Sequence, residues 1–194
     1  MPAYDPTTAL LVVDVQNDFA DPNGTLFVRD GQQVVAVANA EIERALAAGA
    51  LVVYTQDWHP EHTPHFAVDG GIWPKHCVQE TWGAAFHPEL RVEGDVVRKG
   101  VDGRDGYSGF SVRDPTSGHV DDTVLHELLS GRGVRRVVIV GLAADYCVVE
   151  TVLDARTRGY EVEVVGAGIR AVDLHPGDGR RAVERMLHAG AEVN

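Results

Sequence analysis

The alternation of short apolar runs with segments of helical period constrains the fold more than any other feature of this chain. The apolar runs are continuous and rich in β-branched residues, as expected for strands buried on both faces. They predict strands at residues 9–13, 51–54, 96–97, 137–140 and 160–165, with a closing strand within 190–193. Helical spacing predicts helices within 30–49, 124–129, 147–158 and 182–187. Strands alternating with helices form parallel crossovers, so we predict an α/β fold with three layers, α/β/α, and a mainly parallel central sheet.

The spacing of these elements also predicts the domain organisation. No repeat, low-complexity tract or linker divides the chain, so we expect residues 1–194 to form a single domain. Two connections are long: residues 57–94 and the glycine-rich residues 100–120. Connections longer than about 12–15 residues are uncommon in compact domains unless they have a function. We therefore expect both to contribute to a functional site.

Charge and cysteine content exclude several functional classes. The chain has 17 basic and 29 acidic residues, a net charge of −12, which argues against binding nucleic acid or an anionic membrane. No apolar run approaches the roughly 18 residues of a membrane span, and no signal-peptide pattern is visible. The two cysteines, Cys77 and Cys147, are too few for a disulfide scaffold and suit a reducing compartment. We expect a cytoplasmic protein, and the sequence leaves open whether it forms a homo-oligomer.

Reactive side chains follow the ends of successive predicted strands. Asp14 follows the first strand, Asp57 the second, Lys99 the third, and Cys147 comes shortly after the fourth. Ligands of open parallel sheets bind outside the carboxyl ends of the strands. Lys99 is one of only two lysines in a chain whose other basic residues are arginines. We therefore expect these four side chains to meet at one edge of the sheet.

Such a group could activate a cysteine nucleophile. A helix N-terminus capped by Asp145, together with Lys99, would favour the thiolate of Cys147. Asp14, kept ionised by Lys99, could take the thiol proton and return it to a leaving group. Alternatively, Cys147 is a small buried apolar residue, Asp14 caps a strand end and Lys99 is a surface charge.

Histidines in the first long connection indicate a metal site. Asp57 and His59 alternate on one side of an extended segment, His76 returns from beyond the loop, and His65 could add a further ligand. Imidazole and carboxylate ligands suit zinc, iron or manganese with open coordination positions. His62 is expected to be exposed. Cys77 could serve as a soft ligand, but we favour it as a packed neighbour.

Several of these segments together resemble one known family. They are Asp14-Val-Gln-Asn-Asp-Phe19, Asp57-Trp-His59, His65-Phe66, Trp73-Pro-Lys-His76-Cys77, Lys99-Gly and Gly141-Leu-Ala-Ala-Asp-Tyr-Cys147-Val. In this order they resemble the nicotinamidase/pyrazinamidase branch of the isochorismatase-like hydrolases, collinearly from residue 8 to about residue 190. The position of His65 resembles the mycobacterial type, whereas many relatives place a histidine where this chain has Thr63. Ala144 also departs from the family, which often has threonine there.

The resemblance implies a role for each site residue. Asp14, Lys99 and Cys147 would form the catalytic triad, and Asp57, His59, His65 and His76 would surround one divalent metal ion. A cis peptide between Leu142 and Ala143 would direct the N–H groups of Ala143 and Cys147 at an oxyanion. The substrate-binding residues would be Phe19, Trp73 and Tyr107.

The implied activity is a metal-dependent amide hydrolysis through a thioester, in which nicotinamide, and pyrazinamide as well, would be converted to the acid and ammonia. Such an enzyme would serve NAD salvage and pyridine nucleotide biosynthesis. Two alternatives remain at this point. One is another amidase of the superfamily acting on a ureido or carbamoyl substrate, or an isochorismate hydrolase, although relatives with the latter activity lack the cysteine. The other is a non-catalytic metal-binding or partner-binding module, which predicts an unreactive Cys147.

Overall fold

The computed structural model describes residues 3–194, and a parallel sheet is its central element. The elements follow one another as β1 (Thr8–Val13), α1 (Asn17–Ala20), α2 (Gln32–Ala47), β2 (Leu51–Asp57), β3 (Asp95–Lys99), β4 (Ser111–Arg113), β5 (Val120–Asp122), α3 (Leu125–Gly131), β6 (Arg136–Leu142), α4 (Val149–Thr157), β7 (Glu161–Arg170), α5 (Asp178–His188) and β8 (Glu192–Val193). A 3₁₀ turn spans Ala67–Asp69 and a π-helical turn spans Ala144–Val148.

Six strands form the central sheet in the order β3-β2-β1-β6-β7-β8. Every neighbouring pair in it is parallel. The strand β1 lies in the middle, which explains why all of its residues are buried. The α/β fold predicted from the alternating pattern is confirmed, including the closing strand β8.

Helices cover both faces of the sheet, because alternate residues of each strand point to opposite faces. Leu10 and Val12 of β1 pack in one apolar cluster with the buried face of α2. Ala9, Leu11 and Val13 pack in a second cluster with residues of α3, α4 and α5. These two cores give the three layers expected from the sequence. Within residues 3–194, no helix has both the length and the apolar character needed to cross a membrane.

The structure differs from the sequence prediction in the connections. The glycine-rich segment forms the antiparallel hairpin β4–β5, which sequence periodicity did not indicate because the strands are short and mostly polar. The helix expected at 147–158 begins at Val149, and the π-helical turn precedes it. In that turn the N–H of Val148 donates to the carbonyl of Ala143, 3.1 Å away. Cys147 therefore lies in the turn between strand and helix.

Candidate active site

Four reactive side chains meet at the carboxyl edge of the sheet. Asp14 directly follows β1, Asp57 ends β2, Lys99 ends β3, and Cys147 lies in the turn after β6. These strands are neighbours in the sheet, so their ends are adjacent. A carboxylate oxygen of Asp14, one of Asp57 and the sulfur of Cys147 lie within 4.8 Å of one another.

The ammonium of Lys99 contacts all three of these groups. Its Nζ lies 2.8 Å from Oδ2 of Asp14 and donates to Sγ of Cys147 at 3.5 Å. It also donates to Oδ1 of Asp57. The Lys99 side chain is completely buried, so the two carboxylates balance its charge without water. The ammonium thus supplies the positive charge of this cluster.

Asp14 is held by its backbone and by a second strand. Its φ of 49° lies in the left-handed region, where the chain turns sharply out of β1. Oδ1 accepts a hydrogen bond of 2.7 Å from the hydroxyl of Thr55, a buried residue of β2. The other oxygen faces Lys99. Both carboxylate oxygens therefore have a fixed direction.

Burial and charge set the protonation states of this cluster. Burial by itself lowers the pKa of Lys99, but Asp14 and Asp57 raise it well above its ordinary value. Burial raises the pKa of the Asp14 carboxyl, and Lys99 opposes this without cancelling it. Burial also acts to raise the pKa of Asp57, but Lys99 and His59 hold it below the usual range.

The expected thiolate of Cys147 is not supported. Burial raises the pKa of the Cys147 thiol well above its ordinary value, and Asp14 and Asp57 raise it further against the effect of Lys99. The free site therefore holds a thiol whose proton must be transferred before or during attack.

Cys147 also does not begin a capped helix. The carboxylate of Asp145 accepts hydrogen bonds from the N–H groups of Val172 and Asp173, at 3.0 and 2.8 Å. The expected cap at Asp145 was wrong because its carboxylate is bound by the chain after β7.

Three histidines form a second cluster beside the first. One ring nitrogen from each of His59, His65 and His76 lies within 4.8 Å of the others. The rings of His59 and His65 stack with centroids 4.9 Å apart, and those of His59 and His76 lie 5.2 Å apart at a steep angle. Burial lowers the pKa of His76 to about 4, so at neutral pH its imidazole is uncharged and can donate a lone pair.

In two of these rings, Nδ1 lies within hydrogen-bond distance of an oxygen atom outside the histidine cluster. Nδ1 of His76 is 2.8 Å from the carbonyl oxygen of Pro74. Nδ1 of His65 is 2.9 Å from a carboxylate oxygen of Asp105. Contacts of this kind leave the second nitrogen of each ring to face the cluster, which is the usual arrangement of metal-binding histidines.

The ring nitrogens of His59 give a direct indication that a ligand binds at the histidine cluster. Its side chain is 2% exposed, yet neither ring nitrogen has a hydrogen-bond partner within the described part of the chain. Buried polar nitrogens without partners are rare, and a metal ion would satisfy one of them. The nearest carboxylate oxygen, Oδ2 of Asp57, is 3.7 Å from Nε2 of His59. The donor set therefore fits a divalent metal, and the carboxylate of Asp57 faces both clusters.

Gly100 allows this close packing around His59. A β-carbon at Gly100 would lie 2.6 Å from Nδ1 of His59, and the φ of 78° also favours glycine. The glycine directly after Lys99 is thus explained by the imidazole that packs against it.

Two other residues of the first connection lie outside the clusters. His62 is exposed and pairs with Asp69 at 3.1 Å. Cys77 is buried, its sulfur 3.9 Å from the carbonyl oxygen of Gly83, and it is absent from both groups of potential metal ligands found in residues 3–194. The structure places both residues as the sequence analysis favoured.

An aromatic pocket opens between the two clusters. Phe19, Trp73 and Tyr107 line it together with Asp57, His65, His76, Ala143 and Cys147. The indole N–H of Trp73 donates to the hydroxyl of Tyr107 at 2.9 Å, which fixes the orientation of the Trp73 ring. The peptide bond between Leu142 and Ala143 is cis, as the family resemblance implied.

Three further lining residues were missed by the sequence analysis: Leu26, Tyr146 and Val172. Tyr146 packs edge-on against Trp73 with centroids 4.9 Å apart. Because Tyr146 directly precedes Cys147 in the chain, the sequence could have indicated that it lies near the nucleophile. Val172 follows the end of β7, so extending the strand-end argument to the fifth strand would have found it.

The chain is similar to known proteins in sequence and in fold. A family model described as isochorismatase domain matches residues 8–194. The chain is 38% identical over 206 residues to the protein of Escherichia coli (strain K12) named nicotinamidase, covering 97% of this chain and 94% of that protein. The solved structure of the pyrazinamidase of Pyrococcus horikoshii in complex with zinc has a TM-score of 0.86 and 38% identity, covering 97% of this chain and 99% of that one. PnC1 from L. infantum in complex with nicotinate has a TM-score of 0.88 and 34% identity, covering 100% and 95%.

Proposed function

The chain belongs to the isochorismatase family, and from this premise we propose that it is a nicotinamidase that converts nicotinamide and water to nicotinate and ammonia. Relatives similar over nearly the whole chain carry the name nicotinamidase or nicotinamidase/pyrazinamidase, and the similar protein PnC1 from L. infantum was solved in complex with nicotinate. The observation that carries the proposal is the position of Cys147 in the same aromatic pocket as His65 and His76. A flat heteroaromatic amide can present its amide group to Cys147 and its ring nitrogen to His65 and His76.

The chemistry begins with proton transfer from Cys147. Its thiol proton passes to the carboxylate of Asp14 as the sulfur attacks the amide carbonyl carbon, forming the carbon–sulfur bond of a tetrahedral intermediate. The N–H groups of Ala143 and Cys147 stabilise the resulting oxyanion. Asp14 then gives the proton to the amide nitrogen, the carbon–nitrogen bond breaks, and ammonia leaves. Water hydrolyses the thioester and returns the proton to sulfur.

Lys99 stabilises the charges that move in this sequence. Its ammonium lies between the sulfur and the Asp14 carboxylate, so it lowers the cost of negative charge on either. Burial raises the pKa of both groups, and the Lys99 ammonium opposes this at each of them.

One divalent ion (zinc, iron or manganese) would be held by His59, His65 and His76, with Asp57 at the edge of this group. Such an ion would supply a Lewis acid to which the ring nitrogen of a heteroaromatic amide could bind. Phe19, Trp73 and Tyr107 contribute apolar faces to the ring, and aromatic stacking adds about 0.5–1.5 kcal/mol beyond area burial.

We propose one hydrolase domain over residues 1–194, acting in the cytoplasm on a small molecule, with nicotinate as the product returned to pyridine nucleotide synthesis. The net charge of −12 disfavours a nucleic-acid partner.

The deciding experiment measures ammonia release from nicotinamide, pyrazinamide and benzamide by the purified, metal-loaded protein. Benzamide keeps the shape and the amide but lacks the ring nitrogen. We expect hydrolysis of the first two and a much lower kcat/KM for benzamide. The difference should shrink in His76→Ala, because the group that distinguishes the rings is lost.

Equal hydrolysis of benzamide and nicotinamide would contradict the proposed recognition of the ring. Absence of nicotinamide hydrolysis together with release of ammonia from a ureido or carbamoyl compound would favour the other amidase activity. Failure of iodoacetamide to modify Cys147 at any pH would favour a binding module.

A further inference from the structure

A carboxylate outside both clusters contacts one of the three histidines. Oδ1 of Asp105 lies 2.9 Å from Nδ1 of His65. This oxygen is buried and has no hydrogen-bond partner among residues 3–194, so the His65 nitrogen at 2.9 Å is the group placed to donate to it. The contact joins the two long connections of the chain, because Asp105 belongs to the second and His65 to the first.

The backbone of Asp105 is fixed although it lies in a loop. Its N–H donates to the carbonyl of Arg113 at 2.7 Å, and the N–H of Arg113 donates to its carbonyl at 2.6 Å. Because Arg113 also pairs with Val120 of β5, this bridge places Asp105 against the other edge of β4. The Asp105 carboxylate therefore extends from a backbone that two hydrogen bonds hold in place.

His65, by contrast, has little support of its own. It lies on the loop after β2, outside any strand or helix. Its N–H donates to the hydroxyl of Thr63 at 3.3 Å, and its carbonyl accepts from the N–H of Trp73 at 3.4 Å, both long distances. The other two histidines are held independently of this contact: Nδ1 of His76 is 2.8 Å from the carbonyl oxygen of Pro74, and Nδ1 of His59 has no hydrogen-bond partner in residues 3–194.

We propose that Asp105 is a positioning residue that accepts the Nδ1–H of His65 and so aims Nε2 of that ring at the metal site of His59 and His76. The inference rests on the metal site of the proposed function. A carboxylate that accepts from a ligating imidazole fixes its tautomer and raises its basicity, and losing such a partner typically weakens metal affinity by about 10–100-fold.

The test measures the affinity of the full-length protein for Zn²⁺ by competition with a chromogenic chelator. We expect Asp105→Ala to bind Zn²⁺ about 10–100-fold more weakly than the wild type. Asp105→Asn retains an acceptor oxygen but loses the charge, so it should fall between the two, since charge-assisted hydrogen bonds are roughly twice as strong as neutral ones.

A spectroscopic measurement separates positioning from general loss of stability. In the Co²⁺-loaded protein, the visible ligand-field bands report the geometry of the ligands. They should shift in Asp105→Ala and return toward the wild-type position in Asp105→Asn. The matched control is Asp102→Ala, because Asp102 lies in the same segment but is exposed and pairs with Arg104. That variant should retain wild-type affinity and bands.

The outcomes distinguish this inference from the proposed function. Wild-type affinity and bands in Asp105→Ala would overturn the inference, as would an equal loss in Asp102→Ala. If Asp105→Ala does not fold, wild-type affinity in Asp105→Asn overturns it instead. A wild-type protein that binds Zn²⁺ but does not hydrolyse nicotinamide would contradict the proposed function and leave the affinity comparison to decide the role of Asp105. A wild-type protein that binds no divalent ion would overturn both.

Discussion

The candidate site has two halves that the fold supports in different ways. The strand-end half consists of Asp14, Asp57, Lys99 and Cys147, which lie at the ends of adjacent strands and are 6% exposed or less. The loop half consists of His65, Trp73, His76 and Tyr107, which lie on the long connections. Isolated bridges such as Phe66–Trp73 and Asp105–Arg113 support those connections, together with the short hairpin β4–β5.

The two halves differ in what they can do best. The strand-end half holds a buried ammonium between carboxylates and a thiol, which suits proton transfer and covalent chemistry because no water competes. The loop half presents imidazoles and aromatic rings, which suit binding of a metal and a flat ring. We therefore expect substitutions in the strand-end half to abolish the reaction and those in the loop half to change binding.

The largest effect is expected at the nucleophile. Cys147→Ala should lower kcat for nicotinamide by roughly 10⁴-fold or more, because it removes the covalent step. Zn²⁺ content and thermal unfolding should remain close to those of the wild type. Cys77→Ala is the matched control, since Cys77 is the only other cysteine and lies outside the clusters. Wild-type turnover in Cys147→Ala would end the assignment of the nucleophile.

Lys99→Arg tests whether the strand-end half tolerates a change of shape at constant charge. The guanidinium is planar and larger than the ammonium, and Lys99 is completely buried among three groups. We expect kcat to fall by roughly 10²–10⁴-fold, the range of a lost proton-transfer contribution. The control is Lys75→Arg, because Lys75 is the only other lysine and pairs with the exposed Glu61. Equal activity of both variants would show that charge alone suffices.

The loop half is probed by removing one metal ligand. His76→Ala should weaken Zn²⁺ affinity by more than the roughly 10–100-fold typical of a partner outside the ligand set. Chelator competition measures this directly, and activity should return in part at high Zn²⁺ concentration. His62→Ala should behave as the wild type, because His62 is exposed and pairs only with Asp69. If His62→Ala instead loses the metal and His65→Ala keeps it, the choice between these two histidines is wrong.

The smallest effect is expected from a single hydroxyl of the loop half. Tyr107→Phe removes the acceptor for the indole N–H of Trp73. Losing one such hydrogen bond costs about 0.5–1.5 kcal/mol, so KM for nicotinamide should rise by about 2–10-fold with kcat nearly unchanged. Tyr160→Phe is the matched control, since its hydroxyl contacts His126 away from the pocket. A fall in kcat in Tyr107→Phe without a change in KM would place Tyr107 in the chemical step.

The strand-end half was predictable from the sequence for a physical reason. Buried parallel strands need continuous apolar runs, so their ends can be read from the chain, and all parallel strands end at one edge. This argument places Asp14, Lys99 and Cys147 at that edge. The loop half was predicted less completely, because no periodic pattern describes an irregular connection. Its histidines were recognised by residue type, whereas Asp105 gave no signal at all.

The order of elements, the parallel sheet and the residues at its edge were determined by local sequence, since apolar periodicity follows directly from which side chains must leave water. Only the tertiary structure decided which atoms face one another. It showed the Cys147 thiol to be buried among carboxylates, which reverses the expected effect on its pKa. It also showed Asp105 against His65, across the two long connections. Protonation and ligand orientation depend on distances of a few ångströms between residues far apart in the chain, and no pattern within one segment carries that information.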